Sequence, residues 1–202
     1  QGGMAAVWRA IHPETRTRVA IKVLTGEASH ADGPMRALRR EARAVARLDH
    51  PGVIRILDTG TVPDGVPDLP AGSPWLAMEH ASGGTLSSLG TLPWPDLRSV
   101  LLGILDALAH AHARGLVHRD LKPGNVLLCS ERDSRPGLKL SDFGIATVVD
   151  WHVRTGSLAV VAGTLHYMAP EQLTASWRDY GPWTDLYGLG CMGWKLATGR
   201  LP

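Results

Sequence analysis

Four side chains of this 202-residue chain could do chemistry together. Asp120, Lys122 and Asn125 share one short stretch, His118-Arg-Asp-Leu-Lys-Pro-Gly-Asn125, and Asp142 follows in Ser141-Asp-Phe-Gly144. Asp120 is a carboxylate able to take a hydroxyl proton. Lys122 brings an ammonium close behind it. Asn125 offers a neutral oxygen and Asp142 an anionic one. A base, a cation and two oxygen ligands of different charge are the parts that phosphoryl transfer from a metal-bound nucleotide requires.

Asn125 and Asp142 are far apart in sequence, so something must fold them together. Two short runs between them, Val126–Cys129 and Leu138–Leu140, read as strands joined by a polar turn. A hairpin of that kind returns Asp142 to the side of Asn125, where two oxygens can share a divalent ion. Upstream, Arg18–Leu24 is β-branched and bounded by turn-formers, which predicts a strand. Alternation puts Ala20, Lys22 and Leu24 on one face and Val19, Ile21 and Val23 on the other. Gln1–Ala10 reads as a glycine turn entering a strand at Val7 and Trp8. Further strands are predicted over Gly52–Asp58 and Trp75–Glu79, with a Gly/Pro/Asp-rich loop over Thr59–Pro74 between them.

Three helices are predicted. Pro34–Leu48 takes Asp32 as its cap and buries Met35, Leu38, Ala42 and Val45. Its Arg36, Arg40, Arg43 and Arg47 form a solvated stripe around Glu41, or alternatively a dock for a phosphorylated loop. Asp96–Arg114 is amphipathic, apolar at Leu97, Val100, Leu101, Ile104, Leu105 and Leu108, and stops at Gly115. His110 and His112 stand two apart on this helix and do not face one ligand point, so zinc is not expected there. Thr184–Thr198 is capped by Thr184 and stopped by Gly199. Leu186, Leu189, Met192 and Leu196 give it an apolar face and Trp194 adds bulk elsewhere, so it reads as buried around the full turn. Asp185 at its start reads as a helix-dipole acid.

These motifs resemble one family. His118–Asn125 is similar to the catalytic loop of protein kinases, and Lys122-Pro123 after Asp120 resembles the serine/threonine branch. Val19-Ala-Ile-Lys22, Ser141-Asp-Phe-Gly144 and Ala169-Pro-Glu171 extend the likeness. Gly2, Gly3, Met4 and Val7 look like the glycine loop of bacterial-type members, with Ala5 in place of its third glycine. The resemblance covers nearly all of the chain. It implies an α+β, two-lobed fold: a small antiparallel β lobe plus one helix over 1–79, a hinge over 80–84 and a larger, mainly helical lobe over 85–202. The family's first strand and last helices would lie outside the sequence.

The resemblance also assigns roles. The chain would move the γ-phosphoryl group of ATP to Ser or Thr hydroxyls of protein substrates, with magnesium or manganese, and would associate with itself for autophosphorylation. Asp120 would orient and deprotonate the hydroxyl, Lys122 would meet the charge on the moving group, and Asn125 with Asp142 would hold the metal. Lys22 would hold the α- and β-phosphates, fixed by a pair with Glu41. Gly2, Gly3 and Val7 would cover the phosphates, and Ala20 and Leu127 would join the nucleotide site. Met78 would guard the back of the adenine pocket, and the backbones of Glu79 and Ala81 would meet the adenine edge. Asp185 would anchor the catalytic-loop backbone. Phe143 would act as a switch by its packing. Residues 146–171 would be an activation segment, with Thr155 and Ser157 as phosphate acceptors, Arg119 as the phosphate's receiver and Thr164 marking the peptide-docking loop.

Composition excludes other classes. The chain is 44% apolar and 20% charged with a net charge of +2, which gives no field suited to nucleic acid. Cys129 and Cys191 have no paired spacing and read as reduced, buried thiols. No signal peptide and no apolar run near ~18 residues is present, so a cytoplasmic domain is expected, any membrane anchor being left to flanking sequence. The chain opens on Gln1-Gly-Gly3 without an initiator Met, which suggests a longer protein with further domains. A pseudokinase or nucleotide-binding scaffold is the alternative, favoured where a key charge is lost. Here Lys22, Glu41, Asp120, Asn125 and Asp142 all stand. A Gly-x-x-x-x-Gly-Lys-Ser/Thr loop is absent, which excludes the P-loop NTPases.

Overall fold

A computed structural model describes residues 5–24, 42–143, 165–174 and 177–202. They gather into two compact units. The first holds 5–24, 42–49 and 54–80, and the second holds 50–53, 81–143, 165–174 and 177–202.

The first unit is built on a four-stranded antiparallel sheet in the order β1-β2-β4-β3. Its strands are β1 (Ala5–Ile11), β2 (Arg18–Leu24), β3 (Ile56–Thr61) and β4 (Pro74–Glu79). The β2 boundaries are those that the β-branched pattern predicts. Val19 and Val23 are its buried residues, on the face that alternation assigns them. Residues 42–46 are helical and bury Ala42 and Val45, while Arg43 and Arg47 are exposed. The rest of the expected Pro34–Leu48 helix lies outside the described residues.

The strand expected over Gly52–Asp58 begins later and runs further, as β3. Val53 and Ile54 are buried, but Val53 forms an isolated bridge with Leu140 and the Gly52 carbonyl accepts from Leu140 N–H at 2.8 Å. Those backbone groups are committed elsewhere, so the β3–β4 ladder starts only at Ile56, with a bulge before Asp58. The loop shrinks to match. Val62 and Ser73 close its neck, Val62 N–H donating to the Ser73 carbonyl at 2.8 Å.

The second unit contains α1 (Trp94–His112), the hairpin β5 (Val126–Cys129) and β6 (Gly137–Leu140), the short α2 (Pro170–Leu173) and α3 (Pro182–Thr198). α1 packs against α3 and β6. Ile104, Leu108 and Ala111 of α1 and Met192 and Leu196 of α3 are core residues. α1 starts two residues before the expected Asp96, because Pro93 supplies the extended cap and Pro95 fits the first turn. Its end is closed by Gly115 at φ 71°, with Leu116 N–H donating back to the Ala111 carbonyl at 3.0 Å. Leu105, expected inside, is exposed.

Two expectations for α3 are corrected. Gly181, not Thr184, is the cap. Thr184 sits inside the first turn, where its hydroxyl accepts from Gly181 N–H at 3.1 Å. Nor is the helix buried all round: Trp183, Leu186, Tyr187 and Trp194 are exposed, while Leu189, Cys191, Met192 and Leu196 are buried. The small residues Gly188 and Cys191 let the inner face approach its neighbours, which leaves the aromatic side outward. Cys129 and Cys191 are buried cysteines. No helix among the described residues is long and apolar enough to cross a membrane.

The chain after β4 runs beside β5. Gly83 N–H donates to the Leu128 carbonyl at 2.8 Å, and a Cβ at Gly83 would lie 2.6 Å from that oxygen. Gly83→Ala should therefore destabilise the protein by about 1–3 kcal/mol through overpacking against backbone. Gly90→Ala, which meets nothing within 4 Å, should stay within about 0.5 kcal/mol. Urea unfolding of both variants checks the contrast, and equal stability of the two would contradict it.

Candidate active site

The site grows from one buried carboxylate. Asp185, 1% exposed at the start of α3, accepts from His118 N–H at 2.8 Å on Oδ2 and from Arg119 N–H at 2.8 Å on Oδ1. His112 of α1 lies 2.7 Å from Oδ2 through Nε2. A carboxylate only accepts, so the ring donates. His112, weighed in sequence as a metal ligand, is thus a partner of Asp185.

Two consecutive N–H groups aimed at one carboxylate bend the chain sharply, and Arg119 adopts φ 66°. That is the left-handed region, which costs a non-glycine residue about 1–3 kcal/mol unless its surroundings hold it. Gln172 of α2 provides the second hold. Its Nε2 donates to the Arg119 carbonyl at 2.6 Å, and its Oε1 accepts from Ala169 N–H at 3.0 Å. Glu171 is fixed through the α3 turn, its Oε1 accepting from the Thr184 hydroxyl at 2.7 Å.

Asp120 comes next. Its carboxylate receives Lys122 Nζ at 3.0 Å on Oδ1 and 2.9 Å on Oδ2. Asn125 Nδ2 donates to Asp120 Oδ2 at 2.8 Å and to its backbone carbonyl at 2.7 Å. Three of the sequence-predicted residues are thereby in direct contact. Asn125 is buried, and both of its amide hydrogens point at Asp120, so its amide oxygen is the atom left for a ligand role.

β5 and β6 then bring Asp142 round. The Asn125 carbonyl accepts from Ser141 N–H at 2.9 Å and Ser141 Oγ at 3.1 Å, so Asp142 follows a residue fastened to Asn125. Asp142 adopts φ 59°, a conformation that Asp tolerates better than most residues. An amide oxygen and a carboxylate are hard donors of the kind magnesium takes together with phosphate oxygens. Among the described residues no group of three or more His, Cys, Asp or Glu could hold a metal. The oxygen donors of Asn125 and Asp142 are of the kind that fits a hard divalent ion.

His118 joins the two stretches. It is fully buried. Its Nε2 lies 2.9 Å from the Ser141 carbonyl, so Nε2 carries the proton, and Nδ1 accepts from Asp120 N–H at 3.3 Å. Phe143, also fully buried, packs its ring on the imidazole with centroids 4.6 Å apart.

The sheet of the first unit gathers another set. Val7 pairs with Lys22, and Ala20 with Met78. Cross-strand partners share a face, and Ala20 and Lys22 share one by alternation. Val7, Ala20, Lys22 and Met78 thus lie on one side of the sheet, with Val7 exposed and Met78 buried. Glu79 is buried, its carboxylate accepting from Arg55 N–H at 2.8 Å and its own N–H donating to the Arg55 carbonyl at 3.0 Å. That N–H is not available to a ligand. Leu127 sits on β5, bridged to Thr85. Gly2, Gly3, Glu41, Thr155, Ser157 and Thr164 lie outside the described residues, and so does the expected Lys22–Glu41 pair.

Sequence reasoning missed Gln172 and Lys139, and read Thr184 as a helix cap rather than as the partner of Glu171. Gln172 adjoins Ala169-Pro-Glu171, but nothing in its spacing marks it. Lys139 is fully buried with Nζ on the Pro51 carbonyl at 2.9 Å. A lysine flanked by Leu138 and Leu140 in a strand was a signal of burial that alternation alone does not settle.

The protein kinase domain family matches this chain over residues 1–202. Serine/threonine-protein kinase Pkn1 of Myxococcus xanthus is 39% identical over all of this chain and 28% of its own length. The crystal structure of the Mycobacterium tuberculosis PknI kinase domain, C20A mutant, aligns at a TM-score of 0.74 with 29% identity, over all of this chain and 72% of that one. A structure of Rad53 1–466 in complex with AMP-PNP aligns at 0.70 with 29% identity, over all of this chain and 47% of that one. The chain thus spans little more than a quarter of the length of Pkn1.

Burial drives the His118 imidazole below its ordinary value of 6.5, against the carboxylates of Asp185, Asp120 and Asp142 and the Ser141 carbonyl, which pull it up. The unfolded chain therefore binds the proton first. His118 contributes stability that is full above about pH 6.5 and is lost as pH falls toward the depressed folded value. Urea unfolding between pH 5 and 7.5 should show stability falling with acid. His118→Asn should remove part of that slope, and an unchanged slope in the variant would refute the assignment.

Proposed function

We infer phosphoryl transfer from one premise: this chain belongs to the protein kinase domain family. The reaction is transfer of the γ-phosphoryl group of ATP to Ser or Thr hydroxyls of protein substrates. The observation that carries it is the Asp120 carboxylate held at 2.8–3.0 Å by Lys122 and Asn125. The family names of the relatives, and the AMP-PNP in the Rad53 structure, support ATP as the donor.

Asp120 accepts a hydrogen bond from the substrate hydroxyl and takes its proton as the oxygen bonds to the γ-phosphorus. The bond from that phosphorus to the β,γ-bridging oxygen breaks, and ADP leaves. Lys122, already beside Asp120, meets the charge on the moving group. Asn125 and Asp142 would hold magnesium, or manganese in its place, which when bound would offset the negative charge of the phosphates. Lys22, on its sheet face with Val7, Ala20 and Met78, binds the α- and β-phosphates, with Glu41 as its partner. The Glu79 carbonyl and the Ala81 backbone take the adenine edge. We read the first unit as the small lobe and the second as the large one. Alignment of the reacting groups is worth up to roughly 7–11 kcal/mol of barrier, so these positioning contacts matter as much as Asp120 itself.

In the same reading Thr155 or Ser157 accepts regulatory phosphate, Arg119 receives it, Thr164 marks the peptide-docking loop, and Phe143 reports the state through its seat on His118. Protein substrates, a second copy for autophosphorylation, and further domains of a longer protein are the partners implied.

Asp120→Asn should lower transfer of radiolabelled γ-phosphate to a Ser/Thr substrate by about 10²–10⁴-fold, the range of a lost general base. ATP affinity should stay within about threefold, since Asp120 touches the hydroxyl and not the nucleotide. Equal turnover by parent and variant would remove Asp120 from the reaction.

A further inference from the structure

The chain just after β4 is tied to the β5–β6 turn by one carboxylate. Asp133 Oδ2 accepts from Ser82 N–H at 2.9 Å, from the Ser82 hydroxyl at 2.8 Å and from Ser130 N–H at 2.7 Å. The Ser82 and Ser130 hydroxyls lie 2.7 Å apart. Since Ser82 gives its hydrogen to Asp133, Ser130 is the donor in that pair. Ser130 Oγ in turn accepts from Arg132 N–H at 3.2 Å, which braces the turn.

The ties that follow are of another kind. Gly83 N–H donates to the Leu128 carbonyl, Leu128 N–H donates to the Gly84 carbonyl at 2.9 Å, and Thr85 bridges Leu127. This ladder reaches back only to Gly83. Ser82 is beyond it and is held by Asp133 instead. Ala81 is the next residue up, so the Asp133 clasp is the last fixed point before it.

We propose that Asp133 is a positioning residue for the nucleotide. By clamping Ser82 it presets the Ala81 backbone over the same β5 strand that carries Leu127. The proposal rests on the reading in which Ala81 meets the adenine edge and Leu127 lies against the base. A segment already fixed loses less freedom when ligand binds, which appears as affinity. Asp133 need not touch the ligand for this. The effect falls on the adenosine end of ATP and spares its triphosphate.

The test is calorimetric binding of magnesium-ATP and of magnesium tripolyphosphate, which lacks the base, to the purified protein. Asp133→Ala should raise the Kd for ATP about tenfold, the scale of one charge-assisted hydrogen bond, and leave tripolyphosphate unchanged. Asp133→Asn keeps an oxygen acceptor and should recover most of the affinity. Ser82→Ala keeps its N–H donor and should raise the ATP Kd about threefold. It decides the matter alone if Asp133→Ala does not fold. An unchanged ATP Kd in these variants overturns the proposal. Equal losses for both ligands also overturn it, because they mark a general loosening. A parent that binds tripolyphosphate as tightly as ATP removes the adenine reading itself, and the proposal with it.

Discussion

The backbone of the candidate site depends on the buried carboxylate of Asp185. Ionised carboxylates are costly to bury, by several kcal/mol, unless donors surround them. Asp185 has three, and two are the consecutive N–H groups of His118 and Arg119. Hydrogen bonds to charged groups contribute about 1.5–3 kcal/mol each. Together they exceed the cost of the left-handed conformation at Arg119, which no local preference of an arginine would choose. The direction in which Asp120 leaves the turn is thus set from a different helix. Gln172 fixes the other side of the same peptide, so Arg119 has neither backbone group at liberty to relax.

His118 carries this order to the second half of the site. A neutral imidazole with one donor and one acceptor nitrogen matches its two partners, the Ser141 carbonyl and the Asp120 N–H. An imidazolium would turn a second donor toward the Asp120 N–H and lose that match. The ring face is also the seat of Phe143. A change in Phe143 packing must therefore either uncover a buried imidazole or carry it along. Either course disturbs Ser141, whose N–H and hydroxyl both rest on the Asn125 carbonyl.

Much of this was legible in the residues. β2 and the β5–β6 hairpin follow from runs of β-branched and aliphatic residues, and the chemical set Asp120, Lys122, Asn125 and Asp142 follows from type and spacing. The parts that were not legible share a cause: they depend on partners distant in sequence. Val53 looks like strand until Leu140 takes its backbone. Leu186 looks like core until Gly188 and Cys191 prove to be the close-packed side of α3. Thr184 looks like a cap until Gly181 assumes that place and leaves the hydroxyl for Glu171. Gln172, one residue past Ala-Pro-Glu, carries no local signal, because its role is defined by the Arg119 carbonyl.

Asn125 and Asp142 differ in charge, one offering a neutral and the other an anionic oxygen, although a metal alone would accept two carboxylates. Asn125, however, faces Asp120 with its nitrogen, and both of its hydrogens are given to Asp120. An aspartate at 125 would bring a second negative oxygen within hydrogen-bonding distance of the first and would leave the Asp120 carbonyl without its donor. One of the two carboxylates would then tend to hold a proton, as like charges at this distance cannot both ionise freely. Asp120 can serve as a base only while it is ionised. The amide lets one residue offer oxygen outward and hydrogen inward. In the proposed reaction the neutral ligand is therefore a requirement of the base beside it, not of the metal.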